Sequence, residues 1–346
     1  MSELQNTNRS MHDMRGGANS FNALRFFFCL VVIVGHCLDI SHTEFIYRNW
    51  IDMHISVCAF FILSGYWITK SYLKDKNVKL FYRKRAGRIL PFYYITVFGF
   101  ACFLVFFSTF SARDYFTSAG FWKYLFWNTL TLNFMCPMLP GVFNGNPVNG
   151  ALWTIKVEIG FYLILPLLVL ILDKLRTKKR KNAFLIIIYV LSILWNVLLA
   201  QFAEKLGLPK QLSYQLPGFM SFFVSGMLYV YNEEQLVQKE HFMIVPAVLL
   251  FILHYMTKTE FLLPFSLTVL IMFLGKRLSF LSPIGSPVDY SYGMYLLHFP
   301  LINIFTYLDF FEKAPIFLIL IIIAAVLGMA FVVEKYIQKK INRLIK

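Results

Sequence analysis

The amino-acid sequence predicts an all-α, polytopic membrane protein with about ten transmembrane helices and cytoplasmic termini. Three observations support this prediction: an apolar composition, a succession of apolar segments near the length of a membrane span, and an uneven distribution of basic residues among the loops. Hydrophobic residues make up 58% of the 346-residue chain and charged residues only 15%. A soluble domain has about 45–50% apolar and about 25% charged residues. The composition therefore excludes an ordinary soluble globular protein.

The apolar segments account for the predicted helices in chain order. Most approach the ~17–25 residues that a spanning helix needs. They lie at 26–40, 55–69, 89–110, 152–172, 183–200, 215–231, 242–257, 260–275, 288–307 and 315–333. An aromatic stretch at 121–139 is ambiguous by the same criterion. We interpret it as re-entrant or interfacial, because a full span there would place the basic segment KLRTKKRK (174–181) outside the cell.

The basic residues define the orientation and the chain's three parts. With ten spans, most of the 33 Lys and Arg residues fall on the side of the N-terminus, which the positive-inside rule identifies as the cytoplasm. The chain then consists of a polar cytoplasmic tail (1–20), a transmembrane domain (21–333) and a basic cytoplasmic tail (334–346). The formal net charge of +15 has the same explanation and is no evidence for a nucleic-acid partner. The lipid bilayer is the partner that the composition itself predicts.

The first apolar segment carries two ionisable residues, Arg25 and His36, in ALRFFFCLVVIVGHC (23–37). Eleven residues at about 100° each return to within roughly 20° of the start, so both side chains share a helix face and are expected to line one cavity. His36 lies roughly 16 Å deeper, about halfway across a ~30 Å hydrocarbon core. Ionisable groups there indicate a functional site. The structural alternative is an interfacial arginine and a histidine bonded between helices.

Two further apolar segments contain charged residues. Arg85 and Arg88 are i,i+3 neighbours at the start of the third apolar segment, and paired guanidinium groups suit phosphate oxygens. The alternative interpretation of this pair is a positive-inside anchor. Glu158 lies several residues inside the fourth apolar segment, where a carboxylate is costly unless it is paired or protonated. Lys156 is a candidate structural partner, although i,i+2 positions on a helix do not face each other.

Five motifs along the chain together resemble the acyltransferase 3 family of membrane acyltransferases. Family members show LRG followed by an apolar run and His, then FFxLSG, RxxRIxP, WSLSVEExFY and SYxxYLLH in this order. The chain has LRFFFCLVVIVGH (24–36), FFILSG (60–65), RAGRILP (85–91), WTIKVEIGFY (153–162) and SYGMYLLHFP (291–300). Five matches in the same order are far more specific than any one of them. Lys156 and Ile159 depart from the pattern beside Glu158.

The resemblance implies transfer of an acyl group, usually acetyl, from cytoplasmic acyl-coenzyme A to a hydroxyl group of a glycan or lipid-linked saccharide. It implies a multi-pass protein of the bacterial inner membrane. Arg25, Arg85 and Arg88 are then expected to bind the phosphates of acetyl-coenzyme A. His36 is expected to act as the general base, which typically contributes 10²–10⁴-fold to a rate. We see no metal-ligand spacing and expect no metal.

We predict that Glu158 is the partner of His36, because both side chains fall at nearly the same depth of a ~30 Å core. The carboxylate is expected to orient the imidazole and to stabilise its protonated form. Asp39 is the alternative, since it shares a helix face with His36 at i,i+3. Ser64 is interpreted as a small residue at a helix contact, and His298 as either an interhelical hydrogen-bonding residue or an acceptor contact.

Two other classes of protein are compatible with buried ionisable residues. A transporter or flippase of a lipid-linked saccharide also needs them, but it gives no reason for an Arg-x-x-Arg pair beside an Arg-x10-His helix. A membrane adaptor without catalytic activity needs none of these groups. The sequence does not identify the acceptor glycan.

Overall fold

A computed structural model of the protein describes residues 20–284 and 289–338. Most of the two predicted cytoplasmic tails, 1–20 and 334–346, lies outside these ranges. Within them the chain is helical and contains no strand, only an isolated bridge between Ser108 and Val142. The predicted all-α class is therefore confirmed for the described part of the chain.

Twelve α-helices lie in the described ranges, and ten of them coincide with the ten predicted apolar segments. They are α1 Phe21–Ile40, α2 Met53–Asp75, α3 Val78–Phe103, α4 Ala112–Thr117, α5 Ala119–Thr129, α6 Trp153–Lys174, α7 Lys178–Phe202, α8 Leu216–Gln238, α9 Glu240–Thr257, α10 Leu263–Arg277, α11 Ser291–Tyr307 and α12 Pro315–Val333. Side-chain caps define several boundaries, because the first N–H groups of a helix lack partners within it. Asp52 accepts a hydrogen bond from the Ile55 N–H at α2, and Asn77 accepts one from Leu80 at α3.

Seven segments of the described chain are long and apolar enough to cross a membrane, and they contain α1, α2, α3, α6, α7, α9 and α12. The other three predicted spans, α8, α10 and α11, do not meet this criterion. Helices α10 and α11 have 15 and 17 residues, or roughly 22 and 26 Å at 1.5 Å per residue. Much of α8, α10 and α11 is buried inside the bundle, so these helices are largely covered by protein.

Small residues let α2 and α8 pack with their backbones in contact. A Cβ atom added to Gly65 would lie 2.0 Å from the Phe223 carbonyl oxygen, and one added to Gly226 would lie 2.3 Å from the Ile62 carbonyl oxygen. Such an approach is available only to glycine and is typical of helix pairs inside membranes. It fixes the position of α2, which forms one wall of the cavity described below.

The ambiguous stretch 121–139 does not form a spanning helix. Helix α5 ends at Thr129 after 11 residues, roughly 16 Å, and is followed by irregular chain. Tyr93 and Tyr94 of α3 donate hydrogen bonds to the Asn128 and Thr129 carbonyl groups at 2.9 and 3.0 Å, which holds the end of α5 against α3. The prediction that this stretch is not a full span is confirmed.

Candidate active site

A cavity of about 430 Å³ lies between α1, α2, α3, α6 and the beginning of α11. Its walls include Arg25, Arg85, Arg88 and Glu158, and also Asp289, which precedes α11. Four residues singled out in the sequence, separated by up to 133 positions, are thus brought together. The cavity walls also carry many apolar and aromatic side chains, as is usual in sites for organic ligands.

Asp289 joins two of the three arginines. Its Oδ2 atom accepts hydrogen bonds from Arg25 Nη1 at 3.1 Å and Arg88 Nη2 at 3.2 Å, and its Oδ1 atom accepts from the Ser291 N–H at 3.1 Å. The carboxylate is only 13% exposed. Burial alone would raise the pKa of Asp289, but the charges of Arg25 and Arg88 and the hydrogen bonds from Ser291 lower it below the ordinary value. Asp289 is therefore the anionic centre of this wall.

Arg85 has a different environment from the other two arginines. Its Nη2 atom lies 3.3 Å from Ser71 Oγ, and its guanidinium lies over the Phe81 ring at 5.8 Å. Its Nε atom is shielded from solvent and has no hydrogen-bond partner within the described ranges. No ion pair of Arg85 is found there either. Among the three arginines, Arg85 is the one that has a buried, unpaired N–H and no ion-pair partner within the described ranges.

Glu158 faces the cavity and hydrogen-bonds to two of its side chains. The Ser64 hydroxyl donates to Glu158 Oε1 at 2.6 Å, and the Tyr162 hydroxyl also interacts with the carboxylate. Tyr162 in turn interacts with Arg85. Ser64 therefore lies at a helix contact, as expected, and in addition hydrogen-bonds across it, while its neighbour Gly65 makes the close backbone approach.

His36 pairs with another histidine. Its Nδ1 atom lies 2.9 Å from His298 Nε2, and the two rings stack with centroids 5.1 Å apart. The Phe299 ring meets the His36 ring edge to face at 5.0 Å. Helix α1 thus contacts α11 through the histidine pair and the chain just before α11 through Arg25 and Asp289.

The hydrogen bonds of this pair determine its tautomers. His298 Nδ1 lies 2.7 Å from the Tyr295 carbonyl oxygen, which can only accept, so this nitrogen carries the proton of a neutral His298. His298 Nε2 is then an acceptor, and His36 Nδ1 must donate to it. A neutral His36 therefore has an unprotonated Nε2, the form that a general base requires.

The expected pairing of His36 with Glu158 is wrong. A similar depth does not fix the direction of a side chain around its helix, and Glu158 lies in the cavity wall, whereas His36 does not. Asp39 is not the partner either, because its Oδ1 accepts from Arg48 Nη2 at 2.7 Å and Nε at 2.9 Å. His298 occupies the position at His36 Nδ1 that was expected of an acid.

The expectation that Arg25 and His36 line one cavity is also wrong for His36. Tyr295 lies in the cavity wall, and its ring is 5.5 Å from the His298 ring. Phe60, another wall residue, meets the Tyr295 ring edge to face at 6.3 Å. These two rings form an aromatic layer between the cavity and the histidine pair.

Sequence reasoning missed Asp289 and left His298 undecided. His298 was visible as the last residue of the SYGMYLLH stretch, where its spacing from Ser291 and Tyr295 places all three on neighbouring turns of one helix. Asp289 precedes that helix, and no pattern in the sequence links it to α1 or α3. Its role depends on contacts separated by 264 and 201 residues.

Comparison with known proteins identifies the family of the chain. A family model described as an acyltransferase domain matches residues 18–334. Nodulation protein 10 of Rhizobium leguminosarum bv. viciae is 27% identical over 198 residues, 51% of this chain and 50% of that protein. The chain thus spans about half the length of this relative. An O-acetyl transferase of Shigella phage Sf6 is 26% identical over 302 residues, 82% of this chain and 84% of that protein.

No solved structure matches the chain. The family model, however, covers the whole of the predicted transmembrane domain (21–333) and with it both the cavity and the histidine pair. The chain is therefore a multi-pass membrane acyltransferase that belongs to the acyltransferase 3 family.

Proposed function

We propose that the protein transfers an acyl group, in the simplest case acetyl, from cytoplasmic acyl-coenzyme A to a hydroxyl group of a cell-surface glycan or lipid-linked saccharide in the bacterial inner membrane. The observation that carries this proposal is the arrangement of a cavity with three arginines beside a histidine pair whose free nitrogen is a base. The name of the Shigella phage relative, an O-acetyl transferase, supports the choice of an acetyl group and an oxygen acceptor.

The arginines are the proposed binding groups for the donor. Coenzyme A carries several phosphate charges, and Arg25, Arg85 and Arg88 lie at the end of the bundle that the positive-inside rule assigns to the cytoplasm. The long pantetheine arm extends through the cavity and past Phe60 and Tyr295 towards His36. The thioester then lies beside the imidazole, and the acceptor approaches from the other end of α1.

The chemistry needs one base and no covalent enzyme intermediate. His36 Nε2 takes the proton of the acceptor hydroxyl while that oxygen attacks the thioester carbonyl carbon. The His36 Nδ1–H donates to His298, whose lone pair stabilises the imidazolium. The carbon–sulfur bond of the tetrahedral intermediate then breaks, and the departing thiolate takes the proton back from His36. The products are an O-acyl ester and free coenzyme A.

The direct test is incubation of the purified protein with radiolabelled acetyl-coenzyme A and candidate saccharide acceptors. Label in an ester that mild alkali releases supports acyl transfer. Movement of unmodified lipid-linked saccharide across vesicles without labelling would instead identify a transporter. Comparison of glycan acetylation in cells with and without the gene identifies the acceptor.

Arg85→Lys is expected to weaken donor binding by about 10-fold or more, because an ammonium group cannot replace the guanidinium fork and its Nε–H. The measurement is the apparent affinity for acetyl-coenzyme A in transfer assays. Arg83→Lys, on an exposed side chain outside the cavity wall, is the control and should leave this affinity unchanged. Equal affinities of the Arg85 variant and the wild type would contradict the assignment.

Glu158→Gln is expected to lower acyl transfer without moving the lower limb of its pH profile. The carboxylate holds Ser64 and Tyr162 in the cavity wall and makes no contact with the His36 ring in the described structure, so its charge should act on the donor. The measurement is kcat and the donor KM between about pH 5 and 8. A shift of that limb to lower pH would restore Glu158 as the partner of His36.

A further inference from the structure

Two buried N–H groups in the cavity wall lack a partner. They are Nε1 of Trp67 and Nε of Arg85, the two unpaired buried side-chain polar atoms that belong to residues of the cavity wall in the described part of the chain. Leaving such a donor without a partner costs about 1–3 kcal/mol. Native proteins rarely retain such groups without a reason, and a ligand is one of the common reasons.

The two groups lie on the same side of the cavity. Trp67 and Ser71 are i,i+4 neighbours on α2, so their Cβ atoms are roughly 5–6 Å apart. Arg85 Nη2 lies 3.3 Å from Ser71 Oγ, which brings the guanidinium to this face of α2. Trp67, Ser71 and Arg85 therefore form a cluster of hydrogen-bond donors, with the Ser71 hydroxyl free to rotate towards a ligand.

The Trp67 ring is held in place by its neighbours. Phe21 meets it edge to face with centroids 5.4 Å apart, and Tyr66 does so at 5.1 Å. The indole N–H is therefore a fixed donor that costs little side-chain entropy when a ligand binds. An indole can donate but not accept, so the group that it binds must present an acceptor atom.

The charges of the cavity wall indicate which kind of acceptor group a ligand would present here. Within the described ranges both acids of the cavity wall have other partners, since Asp289 joins Arg25 and Arg88 and Glu158 binds Ser64. The positive charge of Arg85 has no ion-pair partner in the same ranges. An uncharged carbonyl oxygen would satisfy the Trp67 N–H but leave Arg85 with only the more distant charge of Glu158, whereas a phosphate accepts from both N–H groups and pairs directly with the guanidinium.

We propose that Trp67, Ser71 and Arg85 form a phosphate subsite, in which the Trp67 indole N–H and the Arg85 Nε–H donate to oxygens of one phosphate group of the donor. This assignment rests on the proposed function, since it assumes a coenzyme A donor. It also distinguishes the arginines: Arg85 binds this phosphate without an acidic partner, whereas Arg25 and Arg88 face the donor while paired with Asp289.

The test is calorimetric binding of coenzyme A and of pantetheine, which lacks the phosphates, to the solubilised full-length protein. Trp67→Phe removes the N–H and keeps an aromatic ring, and it is expected to weaken coenzyme A binding about 10-fold or more, as for a hydrogen bond to a charged group. Pantetheine binding should not change. Ser71→Ala should weaken coenzyme A binding to a smaller extent. Trp50→Phe, on a side chain 82% exposed, is the matched control and should bind as the wild type does.

Each other outcome has a definite meaning. Equal losses for coenzyme A and pantetheine in Trp67→Phe would place the arm's carbonyl group, not a phosphate, at the indole and overturn the subsite. Unchanged coenzyme A binding in Trp67→Phe would overturn it as well. A wild-type protein that binds no coenzyme A would overturn the proposed function, and the subsite with it.

Discussion

Replacing His36 with alanine is expected to lower acyl transfer by about 10²–10⁴-fold, the usual contribution of general base catalysis. The protein should still insert and bind coenzyme A, because His36 does not line the arginine cavity. The measurements are the rate of label transfer from acetyl-coenzyme A and, separately, donor binding by calorimetry. A loss of both in a folded variant would mean that His36 acts on the donor, which contradicts its assignment as the base.

His298→Ala is the companion variant, since His298 positions the base through the 2.9 Å contact. If the two histidines act as a unit, the double variant should be little slower than His36→Ala alone, because effects within one catalytic unit are strongly non-additive. Independent, multiplying losses would show that His298 has a separate structural role. Substantial transfer by His36→Ala would require another base.

Most of the helices could be predicted from the sequence, because the length and composition of each apolar segment depend on whether lipid or protein surrounds it. Ten segments predicted from composition alone coincide with ten helices, and the 121–139 stretch was correctly excluded from the spans by the charge of the 174–181 segment. The spans that fail the length and hydropathy criterion, α8, α10 and α11, are helices with much of their surface buried. A segment surrounded by protein does not need the length or uniform apolarity of a segment surrounded by lipid.

Which residues belong to the site was easier to predict than which of these residues contact each other. Arg25, Arg85, Arg88 and Glu158 could be identified because ionisable groups in apolar segments are costly and so indicate a site. Which acid meets which base depends on the rotation of each helix about its axis, and an error of one third of a turn changes the partner. For this reason Glu158 could be predicted as a member of the site, while its predicted contact with His36 was wrong.

Replacing Asp289 with alanine is expected to have the largest effect on stability. Removing one partner of a buried ion pair typically costs about 3–5 kcal/mol, because a buried charge is left uncompensated. Arg25 is 16% exposed and loses its carboxylate, whereas Arg88 is 45% exposed and can be solvated. We therefore expect a loss near the lower end of that range, about 3 kcal/mol, measured as a lower melting temperature of the solubilised protein.

The pH dependence distinguishes this ion pair from a packing effect. Since the folded state lowers the pKa of Asp289, its contribution is complete above the ordinary Asp value of about 4 and declines only as the pH falls through the lowered, folded value. The difference between wild type and Asp289→Ala should therefore stay constant from about pH 5 to 8 and shrink in stronger acid. Asp39→Asn is the control: its pair with Arg48 is 43% and 37% exposed, and such surface pairs contribute about 0–1 kcal/mol. An equal loss of stability in both variants would show that burial gives Asp289 no special weight, and that Arg25 and Arg88 are positioned by the helices that carry them.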